Sequence, residues 1–341
     1  MTIMRKVLLA TTALIAVGTV QAASADVTIS GSYEWQYNTW DKSGTDYSSG
    51  TTSDNSVSEE IDVSIGFSST TDSGLTLAMN YGLIEGAAGS ESVGATISGD
   101  FGTIGLPDAG FGEFGDKFAT AVDVAADPGN PFTESAVQTA AAVVYDTPGD
   151  EMVAATNSGL NYLSPDMNGF QFSIGYANAG SASHADVTAG GFQYGMDAGD
   201  ASITLKYAMS AVGDSSSGAA DGVDAASLGL VIGLGDATVT VAQNTAESDN
   251  GTSAAYDYKN TGVGIGYTVS DSLSVAAYTA SGENDKDSDY DVSENGVSFT
   301  YTIADGLSAS VTHIDTDQKP NTNNGTTTSG NYTVVAVNLS F

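Results

Sequence analysis

The chain has 341 residues, a formal net charge of −34 and no cysteine. That acidity argues against nucleic acid or anionic lipid as a direct electrostatic partner and favours cations and divalent ions. Without cysteine, no disulfide framework holds the fold.

The N-terminus reads as a targeting segment. Arg5 and Lys6 form a positive n-region, Val7 to about Val20 an apolar h-region, and Ala23-Ser24-Ala25 a small-residue cleavage site. Residues 1–25 are expected to be a signal peptide for the Sec pathway, removed before Asp26, with cleavage after Ala22 as the alternative. Losing Arg5 and Lys6 takes the charge from −34 to −36 and leaves six lysines and no arginine. No later stretch approaches the ~18 apolar residues of a membrane-spanning helix.

From Asp26 onward the pattern is alternation with a period of two, the mark of half-buried strands. In the first such stretch Val27, Ile29, Tyr33, Trp35 and Tyr37 point one way, and Thr28, Ser30, Ser32, Glu34 and Gln36 the other. A glutamate in mid-strand opposite aromatics suits a water-filled lumen better than a packed core. Next, Ile61, Val63, Ile65 and Phe67 oppose Glu60, Asp62 and Ser64. Phe170, Phe172, Ile174 and Tyr176 oppose Gln171 and Ser173, and Ile203, Leu205 and Tyr207 oppose Ser202, Thr204 and Lys206. The last stretch sets Thr333, Val335, Val337, Leu339 and Phe341 against Val334, Ala336, Asn338 and Ser340.

The rhythm stops between Pro107 and Asn157. Four of the six prolines fall there, with Glu113, Asp116, Asp123, Asp127 and Glu134. Ordinary connections take about 4–6 residues, so an insert of this length is functional or disordered; we read it as functional.

Connections of two kinds alternate along the rest. Short Asp/Asn/Ser/Gly turns lie at Thr71 to Gly74, Gly99 to Phe101, Asp166 to Gly169, Asp197 to Asp200, Gly235-Asp236, Ser270 to Ser272 and Ala304 to Gly306. Longer polar links lie between them, for example at Asn38 to Ser56, Ala280 to Glu294 and Asp315 to Gly330. Seven short turns and eight long links join sixteen strands. An even strand count, tight turns at one end and long loops at the other predict an all-β, transmembrane antiparallel barrel. Its polar face lines a channel, because side chains cannot fill so wide a barrel. Trp35 and Tyr37 suit an aromatic girdle at the long-loop end, and Phe341 with Phe101 a second one at the short-turn end.

Several features together resemble the Gram-negative general porins, in particular the alphaproteobacterial, Rhodobacter-like kind. They are a signal peptide leading straight into a strand, the Gly99-Asp-Phe-Gly-Thr103 turn, Leu160-Asn-Tyr-Leu-Ser-Pro165 followed by Asn168-Gly169-Phe170, and the terminal Phe341. The resemblance covers essentially all of residues 26–341. It implies a homotrimer in the outer membrane, with the third long loop folded into the lumen as a constriction. That loop corresponds to residues 107–157, and Gly112-Glu-Phe-Gly-Asp116 is similar to the Glu-Phe-Gly segment of enteric porins. The resemblance makes Glu113, Asp116 and Asp123, with Asp127 and Glu134 further along, the acidic side of the constriction. Such porins set this loop against arginines on the opposite wall, which this chain lacks. Lys206 is the one lysine placed on a lumen-facing strand position; Lys42, Lys259, Lys286 and Lys319 read as loop or rim residues. A lumen lined by Glu34, Glu60 and Asp62 is expected to prefer cations.

Two other features bear on function. Glu283 to Glu294 is the densest acidic run, with Asp285, Asp287 and Asp289 at alternate positions. Hard cations want clustered oxygen ligands, so loose binding of divalent ions such as calcium is expected, bridging to lipopolysaccharide phosphates. The turn glycine of a helix–loop–helix calcium site is replaced by Tyr290. His184 lies in a Gly/Ser/Ala loop, and His313 is placed at the end of the fifteenth strand. No nucleotide loop or His/Cys metal spacing occurs, so no enzyme activity and no tightly held cofactor is expected. The function read from these features is passive diffusion of ions and small hydrophilic solutes. A substrate-selective channel is one alternative. The other, a secreted repetitive adhesin, requires a fixed-length repeat, and the long links vary freely.

Overall fold

The computed structural model describes residues 26–43, 55–84, 91–106, 118–120, 158–178, 186–213, 223–248, 256–284, 287–319 and 328–341. Sixteen strands follow one another in the chain. They are β1 (Asp26–Ser43), β2 (Asn55–Thr70), β3 (Thr76–Ile84), β4 (Glu91–Gly99), β5 (Gly102–Gly105) and β6 (Ser158–Leu163). Next come β7 (Phe170–Asn178), β8 (Val187–Ala198), β9 (Ala201–Val212), β10 (Val223–Leu234) and β11 (Ala237–Ser248). The ring ends with β12 (Tyr256–Ser270), β13 (Leu273–Asn284), β14 (Asp287–Ala304), β15 (Leu307–Lys319) and β16 (Thr328–Ser340). Each strand pairs antiparallel with its sequence neighbours, and β16 closes on β1, from Ser32↔Ser340 to Ser43↔Ser329.

Closure follows from the chemistry of the strands. A sheet of alternating Val, Ile, Leu, Tyr and Phe has an apolar face that only lipid or another sheet can cover, and lipid offers its backbone no hydrogen-bond partner. Joining the first strand to the last satisfies both edges at once. Ile29, Ile174, Ile265, Phe299 and Ile303 remain exposed on the outer face, as a lipid-facing surface requires.

The seven short turns stand where the sequence places them. Asn168 and Gly169 both adopt positive φ, 60° and 90°, and the Gly169 N–H donates to Asp166 Oδ1 at 2.9 Å. A side chain on Gly169 would overlap the carbonyl oxygen of Gly195. Gly102 in the Gly99–Thr103 turn has φ 106°, and there a Cβ would meet the Leu163 carbonyl oxygen.

The structure corrects three expectations. The acidic run after Ala280 is mostly strand: β13 extends to Asn284 and β14 starts at Asp287. Asp287 and Asp289 therefore stand within β14; their side chains, and Asp285 entirely, lie outside the described residues. His313 does not end its strand but sits in the middle of β15, which runs on to Lys319. There its Nδ1 shares a 2.8 Å hydrogen bond with Thr333 Oγ1. Finally, Lys259 is a strand residue of β12, 3.5 Å from Glu283 Oε1. In all three cases established ladders on both sides carry the pairing through residues of poor strand propensity.

Gly169→Ala combines backbone strain at positive φ with a clash, and is expected to cost about 1–3 kcal/mol of barrel stability. Gly199→Ala, also at positive φ but with open space around the added methyl, is expected to cost less. The temperature at which the folded barrel loses its anomalous gel mobility measures both.

Candidate functional site

Register fixes which residues line the lumen, because paired residues share a face. Glu34 pairs with Glu60 on β2 and with Asn338 on β16, and Asp62 pairs with Ser32. These belong to the face that carries Ser64, Gly66, Ala336 and Ser310. Lys206 pairs with Gln193 and Gly229 on the same face. A single row then runs Lys206, Gly229, Ala242, Gly262, Ala280, Glu294 from β9 to β14. Glu34, Glu60, Asp62 and Lys206 thus share one face of the closed sheet.

The ring order has a consequence for charge. In a closed barrel of sixteen strands β9 stands eight strands from β1 in either direction. The Glu34, Glu60 and Asp62 carboxylates therefore occupy the wall opposite Lys206. Glu34 and Glu60 face each other directly across β1 and β2, an arrangement that repels. Gln36 Nε2 donates to Glu34 Oε1 and offsets part of that repulsion. Of the two lysines whose side chains are described, Lys206 faces in; Lys259, beside Glu283, faces out.

Glu294 is an inner-face carboxylate that sequence reasoning missed. It is 1% exposed and accepts a 2.5 Å hydrogen bond from Tyr278 Oη. The Tyr278 ring occupies the space beside Gly296, where any side chain would collide with it. The signal was available: Glu294 is in phase with Gly296 and Ser298, but the acidic residues before it read as a loop.

The insert after β5 meets the lumen wall. Phe118 is fully buried in a cluster with Leu163 and Ala208. The Thr120 N–H donates to Ser227 Oγ at 3.0 Å, and Asn244 Nδ2 donates to the Thr120 carbonyl at 3.4 Å. Leu163, Ala208, Ser227 and Asn244 all belong to the inner face. Residues 118–120 thus lie inside the barrel wall. Glu113, Asp116, Asp123, Asp127 and Glu134 lie outside the described residues.

On the outer face Trp35 pairs with Val337 and Glu59, and Tyr37 with Val335 and Val57. Tyr33 Oη donates to Glu59 Oε2 at 3.2 Å. Phe341 is 73% exposed and pairs N–H to O with Gly31 in both directions at 3.1 Å. Its ring occupies the space a Gly31 side chain would need. Tyr162, Phe172, Phe170, Phe192 and Tyr207 form a cross-strand aromatic ladder with centroids 5.7 to 6.3 Å apart. Sequence reading missed this ladder because, apart from Phe170 and Phe172 on β7, its members meet across strands. Among the described residues no three His, Cys, Asp or Glu side chains converge as a metal site.

A family model described as Gram-negative porin matches residues 10–340. No curated protein matches the chain. Among solved structures, a porin refined at 1.8 Å resolution is similar with a TM-score of 0.64 and 21% identity, over 93% of this chain and 100% of that one. An anion-selective porin from Comamonas acidovorans gives 0.58 and 13%, over 93% and 100% of the two chains. The trimer form of OmpT, an outer-membrane protein of Vibrio cholerae, gives 0.59 and 13%, again over 93% and 100%.

The Glu34↔Glu60 repulsion predicts that Glu60→Gln stabilises the barrel by about 0.2–1 kcal/mol at low ionic strength. The gain is expected to shrink as salt is raised, because the lumen is wet and screened. Thermal melting of the refolded barrel at two salt concentrations checks this.

Proposed function

From the premise that the chain belongs to the Gram-negative porin family, a family of non-enzymatic outer-membrane channels, we propose that it is a cation-preferring channel for passive diffusion of ions and small hydrophilic solutes. The observation that carries the sign of the preference is the lumen patch of Glu34, Glu60 and Asp62, set against the inward-facing Lys206. A similar barrel belongs to an anion-selective porin, so the architecture leaves the sign open and wall charge must decide it. Carboxylates on a low-dielectric wall raise the local concentration of cations and repel anions. A net charge of −34 over the whole chain acts in the same direction.

The insert supplies the size limit in this reading. Its described residues 118–120 sit against the inner wall, which supports a segment crossing the lumen over one that leaves it. Glu113, Asp116, Asp123, Asp127 and Glu134 would then add to the acidic side of the constriction. Trp35, Tyr37 and Phe341, all on the outer face, serve as interfacial anchors. Assembly as a homotrimer is supported by the similarity to a porin solved in a trimer form. Export through the Sec pathway rests on the leader at residues 1–25. Asp285, Asp287 and Asp289 hold calcium or similar ions loosely at the long-loop rim, where such ions bridge to lipopolysaccharide phosphates.

Purified protein in planar bilayers is expected to conduct in steps. Under a salt gradient its reversal potential should show cation preference. Glu34→Gln, Glu60→Gln and Asp62→Asn combined should weaken that preference roughly two- to tenfold, and Lys206→Gln should strengthen it. Anion preference in the unmodified protein would refute the electrostatic assignment and leave the channel itself standing.

A further inference from the structure

We propose that Phe118–Thr120 is a latch fixing the position of the insert, with Gly191 and Gly229 as its receptacle, so that this fit sets the width of the passage. The inference rests on the channel reading above and names the residues that position its constriction.

The tripeptide lies across the strands, over one inner-face row. That row runs Leu163, Ser173, Gly191, Ala208, Ser227, Asn244, one residue from each of β6 to β11. Size governs the seating. Phe118 is fully buried over Gly191 and Ala208; a Cβ on Gly191 would overlap the Tyr207 carbonyl oxygen and stand 3.3 Å from the Phe118 ring, so the β9 backbone and the ring both favour glycine there. Thr120 fills the space above Gly229, where an added Cβ would overlap its hydroxyl and its own Cβ. Both positions offer room only while they remain glycine.

Hydrogen bonding pins what packing locates. The backbone groups of β10 and β11 are consumed in their own ladders. Side chains are therefore the wall's means of holding a crossing segment. Ser227 takes the Thr120 N–H and Asn244 takes its carbonyl, one on each strand. Thr120 is 5% exposed and Asn244 3%, so water does not compete for either bond. The fit has a defect: Thr120 Oγ1 and Asn244 Oδ1, both buried, have no hydrogen-bond partner among the described residues. Orphaned buried polar atoms destabilise. The latch is thus held by shape and two bonds against an opposing term, and a modest steric change should release it.

Lys206 stands directly beside the receptacle, paired with Gly229. The latch therefore also sets how closely the insert covers the inward-facing lysine of that wall.

The test compares Gly229→Val with Gly266→Val. Gly266 is also an inner-face glycine, and an added Cβ there meets nothing. Single-channel conductance and the largest sugar admitted in liposome swelling are read on barrels that retain heat-modifiable gel mobility. Gly229→Val is expected to raise conductance about twofold and admit larger sugars, while Gly266→Val behaves as the unmodified protein. Phe118→Ala, which leaves every barrel strand intact, should open the channel likewise if Gly229→Val fails to fold. Gly229→Ala should open it, and adding Thr120→Gly, which returns the space, should restore the original conductance. Unchanged or reduced conductance in Gly229→Val and Phe118→Ala, or an equal rise in Gly266→Val, overturns the latch. An unmodified protein that does not conduct overturns the channel reading instead.

Discussion

The pairing of β1 with β16 carries the rest of the structure. Between Ser32↔Ser340 and Ser43↔Ser329 the two ends of the barrel sequence exchange hydrogen bonds, and no open edge remains. In hydrocarbon each unmet backbone group costs several kcal/mol, so an open sheet of this composition could not sit in a membrane. Closure also transmits phase. Because partners share a face, the assignment of Glu34 to the lumen propagates strand by strand and returns consistently at Asn338. Phe341 seals the seam from outside, its ring taking the place of a Gly31 side chain.

Once the wall is closed, what it can hold inside depends on side-chain size. From β8 to β16 the inner face is rich in glycine, alanine and serine, with Ala208, Ala225, Ser227, Ala242, Ala280, Ser298, Ser310 and Ala336 buried. Small residues are poor strand formers and contribute little packing of their own. Their presence is intelligible where a segment must lie close to the sheet, as Phe118 and Thr120 do. The cost in strand propensity is spread over many long ladders; the gain is concentrated at one place in the lumen. Tyr278, packed against Gly296 and bonded to Glu294, uses the same device with a side chain in place of a loop.

Much of this was legible in the sequence because barrels write their two faces in alternation. Strand phase, the common face of Glu34, Glu60, Asp62 and Lys206, and the seven tight turns all follow from period and turn chemistry. What was not legible depends on neighbours in space. Asp287 and Asp289 read as loop residues because local composition is polar, yet β13 and β15 draw them into a strand. His313 was misplaced for the same reason, since β16 supports the ladder well beyond it. The Thr120–Ser227–Asn244 contact joins residues more than a hundred positions apart, and no periodicity announces it.

Charge and position are coupled in the lumen. Wall carboxylates act on a passing ion only within about a Debye length, ~8–10 Å at physiological salt. In a barrel of sixteen strands with an unobstructed lumen, much of the cross-section lies beyond that reach of any one wall. The Glu34–Glu60–Asp62 patch can therefore discriminate only if something confines ions to its side. Phe118–Thr120 seats the insert on β6 and β8–β11, the wall opposite that patch. Under the proposed channel reading, a segment continuing from there across the lumen would narrow the passage toward β1 and β2 and leave the acidic wall as its lining. On that reading the filter would need no arginine cluster: the wall would supply the charge, and the insert would bring the ions within its reach.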